Sequence, residues 1–157
     1  MEGIIAILGT RATIASKIYE NQILSRCPAL ELLPVSCPLF VPLVEEGYQE
    51  HPISTWVAQE YLRPLKNWDV KGVLLGCTHY PLLQAKIQNE LGPEILLVDP
   101  AVACAQRTRE LLSENNLLNP SLDPPNYQFF VSDDPTKFQV FGKLFLDFPI
   151  ENVFQST

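Results

Sequence analysis

Apolar and polar positions fall in blocks along this chain, and the blocks change period from one to the next. "GIIAILG" (Gly3 to Gly9) is a continuous apolar run closed by glycine, the pattern of a strand buried on both faces. "TRATIASKIYENQILS", residues 10–25, has helical spacing, with Ile14, Ile18 and Ile23 or Leu24 near one face. Leu30 to Val35 predicts a second strand. "SCPLFVPLVEEG" holds two prolines and reads as an ordered connection rather than a helix. Helical period returns in "ISTWVAQEYLRPLK", where Val57, Tyr61 and Leu65 line up and Pro64 stands near the end. Gly72 to Gly76 is the third predicted strand, "YPLLQAKIQNEL" the helix after it, and Glu94 to Asp99 the fourth strand.

Beyond that point Ala101, Cys104, Ala105, Thr108, Leu111 and Leu112 trace one face of an amphipathic helix. Three prolines and four asparagines make "NNLLNPSLDPPN" (Asn115 to Asn126) the clearest loop in the chain. "YQFFVS" reads as a strand, and "DDPTKFQVFGKLFL" as a helix with Asp134 at the N-cap and Pro135 at the first helical position. "IENVFQ" predicts a last strand. Strands alternating with helices imply an α/β fold: a largely parallel sheet with flanking helices.

Composition narrows the partners. A length of 157 residues fits one domain, or one domain and part of a second, and 46% hydrophobic residues supply a sizeable core. The net charge of -7, with only 11 scattered Lys and Arg, argues against a nucleic-acid partner, which needs a clustered cationic face. A small anionic substrate stays open, because a local cup of donors overrides net charge. No apolar run approaches the ~20 residues of a membrane span, so no membrane role is expected. "MEGIIAILGTR" lacks the basic leader and long apolar stretch of a signal peptide, which makes a cytoplasmic location the expectation. The four cysteines show no C-x-x-C spacing, so no metal site is expected, and in a reducing compartment they stay free thiols.

In open parallel sheets ligands bind beyond the carboxyl ends of the strands. Two such ends carry unusual polar groups here. After the first strand, Thr10 and Thr13 bracket a helix start, where their hydroxyls cap backbone N–H groups or, equally, help hold a carboxylate. After the third strand come Cys77, Thr78 and His79. A free thiol has a pKa of about 8.5, and a neighbouring imidazole lowers it, so that thiolate is present near neutral pH as a nucleophile or a proton-transferring base. Cys27, Cys37 and Cys104 read instead as inert, buried small hydrophobes, and His51 as a surface residue. Glu45 and Glu46 are either solvated loop charges or, for one of them, a carboxylate that folds in to orient His79.

"GCTHYPLL", "SCPLFVPLVEEG" and "GTRAT" together resemble the glutamate racemases of the aspartate/glutamate racemase superfamily, over nearly the whole chain from Gly3 to about Gln155. The resemblance implies two similar α/β lobes around the substrate. Residues 1–98 would form one complete lobe, and 99–157 the C-terminal part of the second, whose N-terminal complement is missing. Phe138, Phe141 and Phe145 in that part would need cover, so it is expected to fold back, to pair between chains or to be partly mobile. It also implies cofactor-independent interconversion of L- and D-glutamate for peptidoglycan by two thiols on opposite faces of the α-carbon. Cys77 matches the second thiol, His79 and Glu45 the groups assisting it, and Thr10, Thr13 and Thr78 the contacts to substrate. The family's D-S-G and C-N-T motifs, the latter holding the first thiol, do not occur in this sequence. A chain of this kind is expected to be unable to racemise alone, and to form a homodimer or pair with a missing N-terminal half. The alternatives are a non-enzymatic member binding a small dicarboxylate or protein partner, and a racemase of another acidic amino acid.

Overall fold

The computed structural model describes residues 3–146 and 148–156 and resolves two compact units, Met1–Asn115 and Asn116–Thr157. In the first unit β1 (Ile4–Gly9), β2 (Glu31–Ser36), β3 (Val70–Leu75) and β4 (Leu96–Val98) form a four-stranded sheet in the order β2-β1-β3-β4. All three pairings are parallel, so every strand delivers its carboxyl end to the same edge. β1 lies second in the order and is apolar throughout, as a strand covered on both faces must be.

One face of the sheet holds the main core. Ile4, Ala6 and Leu8 of β1 and Val70, Val73 and Leu75 of β3 pack with Phe40 and Val44, Ala58 and Leu62, and Tyr80, Leu83 and Ile87. These partners come from α3 (Phe40–Glu45), from α4 (Pro52–Leu62), and from a 3-10 turn at Tyr80–Leu83 that runs into α5 (Gln84–Leu91). Alternation sends Ile7 to the opposite face, and a Cβ on Gly9 would meet Thr13 and Ile14, which places α1 (Arg11–Ser16) there. Gly76 permits a close approach at the strand end: a Cβ there would stand 2.7 Å from the Leu8 carbonyl oxygen and 3.1 Å from the Tyr19 ring.

Several predicted elements change shape. The helix predicted over 10–25 is broken at Lys17, whose φ of 53° ends α1 and starts α2 (Ile18–Leu24). The supposed connection after β2 contains α3. Pro42 is its third residue, within the first turn, where backbone N–H groups have no intrahelical acceptor, so the proline removes no helical bond. Gly47, at φ 73°, then closes α3, with its N–H donating to the Val44 carbonyl. The helix expected to run to Lys66 stops at Leu62 and tightens into a 3-10 turn over Arg63–Asn67 that holds Pro64. Cys37 is buried as expected, but Cys27 and Cys104 are exposed. Cys104 lies on α6 (Pro100–Glu114), which is capped by Asp99 and has the predicted spacing but no buried side chain. Spacing establishes a helix face; it does not establish that something covers it.

The second unit is a small βαβ arrangement. β5 (Phe129–Val131) and β6 (Val153–Gln155) pair in parallel, and α7 (Pro135–Phe145) connects them. Asp134 caps α7 by accepting from the N–H groups of Thr136 and Lys137, with Pro135 at the helix start, as the sequence predicts. Phe129 packs against Phe138, and Gly142 leaves the room that Ile150 fills. Among the described residues no helix is long and apolar enough to cross a membrane.

Candidate active site

The sequence after β3 folds into a tight turn rather than entering a helix directly. The Tyr80 N–H donates to the Cys77 carbonyl at 3.2 Å, and the Leu82 N–H to the His79 carbonyl at 3.2 Å. This turn brings two side chains back together: Cys77 Sγ and His79 Nδ1 are 4.0 Å apart. Thr78 Oγ1 is 3.3 Å from the same nitrogen. On the other side of the ring, His79 Nε2 lies 3.5 Å from Glu45 Oε1 at the end of α3. Cys77, His79 and Glu45 are each half-buried, while Thr78 is exposed and Glu46 points to solvent.

A carboxylate accepts only, so the nitrogen facing Glu45 carries the hydrogen. Nδ1 is then the acceptor in the neutral ring, directed at Cys77 and Thr78. Of the two glutamates, Glu45 lies against the His79 ring and Glu46 is exposed. Fixing the tautomer in this way makes Nδ1 the atom able to take the thiol proton.

What sets Glu45 against His79 is a buried joint that sequence reasoning missed. Tyr80 is fully buried, and its hydroxyl donates to the Cys37 carbonyl at 2.9 Å. The Phe40 ring stands edge-on to Tyr80 at 5.2 Å and to Tyr61 at 5.3 Å, so the segment bearing Glu45 is packed onto the segment bearing His79. Burial, with the nearby Cys37, Cys77 and Tyr61, pushes the Tyr80 hydroxyl far above its ordinary range and keeps it a donor. Burial alone pushes the Cys37 thiol up to about 12. The available signal is Tyr80 next to His79 in one motif and the single aromatic residue, Phe40, in the other.

Thr10 and Thr13 occupy the neighbouring strand end, next to β3 through the Gly76 N–H donating to the Leu8 carbonyl at 2.7 Å. Thr10 is the N-cap of α1: its Oγ1 accepts from the Thr13 N–H at 3.2 Å and shares a hydrogen bond with Thr13 Oγ1 at 2.9 Å. A cleft of about 500 Å³ runs between Gly76 and residues of α1 and α2, among them Thr13, Ser16 and Tyr19. His51 is exposed, and its Nδ1 accepts from the Ile53 N–H at the start of α4. No group of three or more His, Cys, Asp or Glu among the described residues is placed to hold a metal ion.

No family model matches the chain. Individual relatives do. Over 142 residues the chain is 46% identical to the glutamate racemase of Syntrophus aciditrophicus (strain SB), covering 90% of this chain and 53% of the relative. It is 42% identical over 151 residues to that of Chlorobaculum parvum, covering 96% of this chain and 56% of the relative. The chain is a homologue of the glutamate racemases. It spans about half the length of the curated relatives it matches and corresponds to their C-terminal portion. The fold agrees: the crystal structure of glutamate racemase from Francisella tularensis in complex with D-glutamate matches at a TM-score of 0.92 and 34% identity, covering 99% of this chain and 58% of that one.

Proposed function

We propose that this chain supplies one half of a glutamate racemase active site, an isomerase converting L- and D-glutamate without a cofactor for peptidoglycan synthesis in the cytoplasm. The observation that carries this reading is the row Cys77, His79, Glu45 at the carboxyl edge of the parallel sheet. The naming of the homologues and the D-glutamate held by the Francisella protein support the choice of substrate.

Cys77 is the base. Its thiol proton passes to His79 Nδ1, while the Nε2–H remains on Glu45, and the thiolate removes the proton from the α-carbon of one enantiomer. Hydroxyls of Thr10, Thr13 and Thr78 hold the substrate carboxylate and ammonium groups. Inversion requires a proton delivered to the opposite face, and one thiol returns a proton only to the face it took it from. The second thiol must therefore come from outside these 157 residues. Residues 1–98 act as the complete lobe and 99–157 as the C-terminal part of the other, paired with a missing N-terminal half.

The test is solvent deuterium exchange at the α-carbon of each glutamate enantiomer, with Cys77→Ser as control. Exchange on one enantiomer, abolished by the substitution, is expected. Equal exchange by the Cys77→Ser protein, or none by the wild type, would remove Cys77 as the base.

A further inference from the structure

Two hydrogens compete for one lone pair at the centre of this site. With its Nε2–H directed at Glu45, the neutral His79 ring offers a single in-plane lone pair at Nδ1. Thr78 Oγ1 is 3.3 Å from that nitrogen, within hydrogen-bond reach, whereas Cys77 Sγ stands at 4.0 Å, the outer limit for sulfur. As long as the Thr78 hydroxyl donates there, the lone pair is occupied and the thiol proton has no acceptor.

We propose that Thr78 is a positioning residue that holds His79 Nδ1 in the unliganded site and yields it to Cys77 when its hydroxyl turns to the substrate. This rests on the reading of Cys77 as the base and adds a trigger to it. Thr78 is exposed at the mouth of the site, so its hydroxyl can rotate toward an arriving carboxylate, a charged and therefore stronger acceptor than a neutral imidazole. Once Nδ1 is released, Cys77 Sγ–H gives it the proton and the electron pair of the S–H bond stays on sulfur. The imidazolium then holds one N–H toward the thiolate and one toward Glu45. Tyr80, on the same segment, interacts with the Cys77 thiol, and Cys37 and Tyr61 of α4 interact with Tyr80. Burial keeps Tyr80 and Cys37 protonated at neutral pH, so neither takes the proton. The thiol is thus kept unreactive until something that binds Thr78 arrives.

The experiment uses the 157-residue chain without substrate and measures the rate of iodoacetamide alkylation of Cys77 at pH 7, resolved from exposed Cys27 and Cys104 by peptide mass spectrometry. Thr78→Val keeps the shape and removes the donor. It should raise the Cys77 rate by about 3- to 10-fold, the factor that corresponds to one ordinary hydrogen bond. Thr78→Ser restores the donor and should return the wild-type rate, a rescue that a purely structural role for the threonine methyl would not give. In the Thr78→Val background, where Nδ1 is released, adding His79→Gln should lower the rate by about tenfold. A Thr78→Val rate equal to or below wild type, with the double variant slower still, overturns the Thr78 trigger alone. A Thr78→Val rate unchanged by adding His79→Gln overturns the imidazole-assisted thiol on which it rests.

Discussion

Two thiols follow two parallel strands at the same edge of the sheet, and they have opposite fates. Cys37, after β2, is fully buried; its Sγ reaches the Val35 carbonyl at 3.8 Å, and burial raises its pKa to about 12. Cys77, after β3, is half-buried beside an imidazole whose tautomer a carboxylate fixes. Topology gives both the same position in the fold. The neighbours decide which is packing and which is chemistry: Tyr80 and Phe40 close over the first, while His79 stands beside the second with Thr78 and Glu45 on its ring.

The sharpest way to break this contrast is to alkylate both. At pH 7 a thiol with a pKa near 12 is about one part in 10⁵ thiolate, so Cys77 should react with iodoacetamide at least about 10³ times faster than Cys37 in the folded chain. Peptide mass spectrometry checks this, and comparable rates would dissolve the distinction. Next in size is Glu45→Gln. In the Thr78→Val background, losing the carboxylate that orients the ring should slow Cys77 alkylation by about tenfold while leaving Cys27 and Cys104 unchanged.

The buried side of the comparison is tested by alkaline pH. Burial raises the folded-state pKa of Cys37 from an ordinary 9.0 to about 12, so above pH 9 the unfolded chain sheds a proton that the folded chain keeps. Stability is therefore full below pH 9 and falls as pH rises toward about 12, by about 1.4 kcal/mol per pH unit for this one group. Tyr80 adds loss of the same sign above its ordinary value of 10.0. Urea unfolding between about pH 8 and pH 10.5 should show the slope, and Cys37→Ala should flatten it. The smallest effect belongs to Tyr80→Phe. It removes one of two donors to the Cys37 carbonyl, leaving the Phe40 N–H at 3.3 Å, and should cost about 1 kcal/mol in urea unfolding, with Cys77 alkylation within about twofold of wild type. A larger change at Cys77 would mean that the two strand ends are coupled.

The sequence made the parallel sheet legible because continuous apolar runs ending in glycine have few other uses, and every predicted strand is present. Cys77, Thr78 and His79 were legible because they are adjacent. Glu45 was not settled, since it lies far from Cys77 in sequence, and only the packing of Phe40 on Tyr80 brings it to the ring. The two prolines hid α3 because only one of them lies inside it, and that one sits where no helical hydrogen bond is lost. The break at Lys17 depends on one backbone angle that apolar spacing does not encode. Cys104 was misjudged because an amphipathic pattern marks a face without naming its cover.

The central claim is that this chain carries a base for one face of the α-carbon and no acid for the other. Incubating the chain separately with L- and D-glutamate in deuterated water, then measuring configuration by chiral chromatography and label by mass spectrometry, tests it directly. The expected result is deuterium incorporated into one enantiomer with its configuration retained. Appearance of the opposite enantiomer above the protein-free rate, and its loss in Cys77→Ser, would contradict the claim.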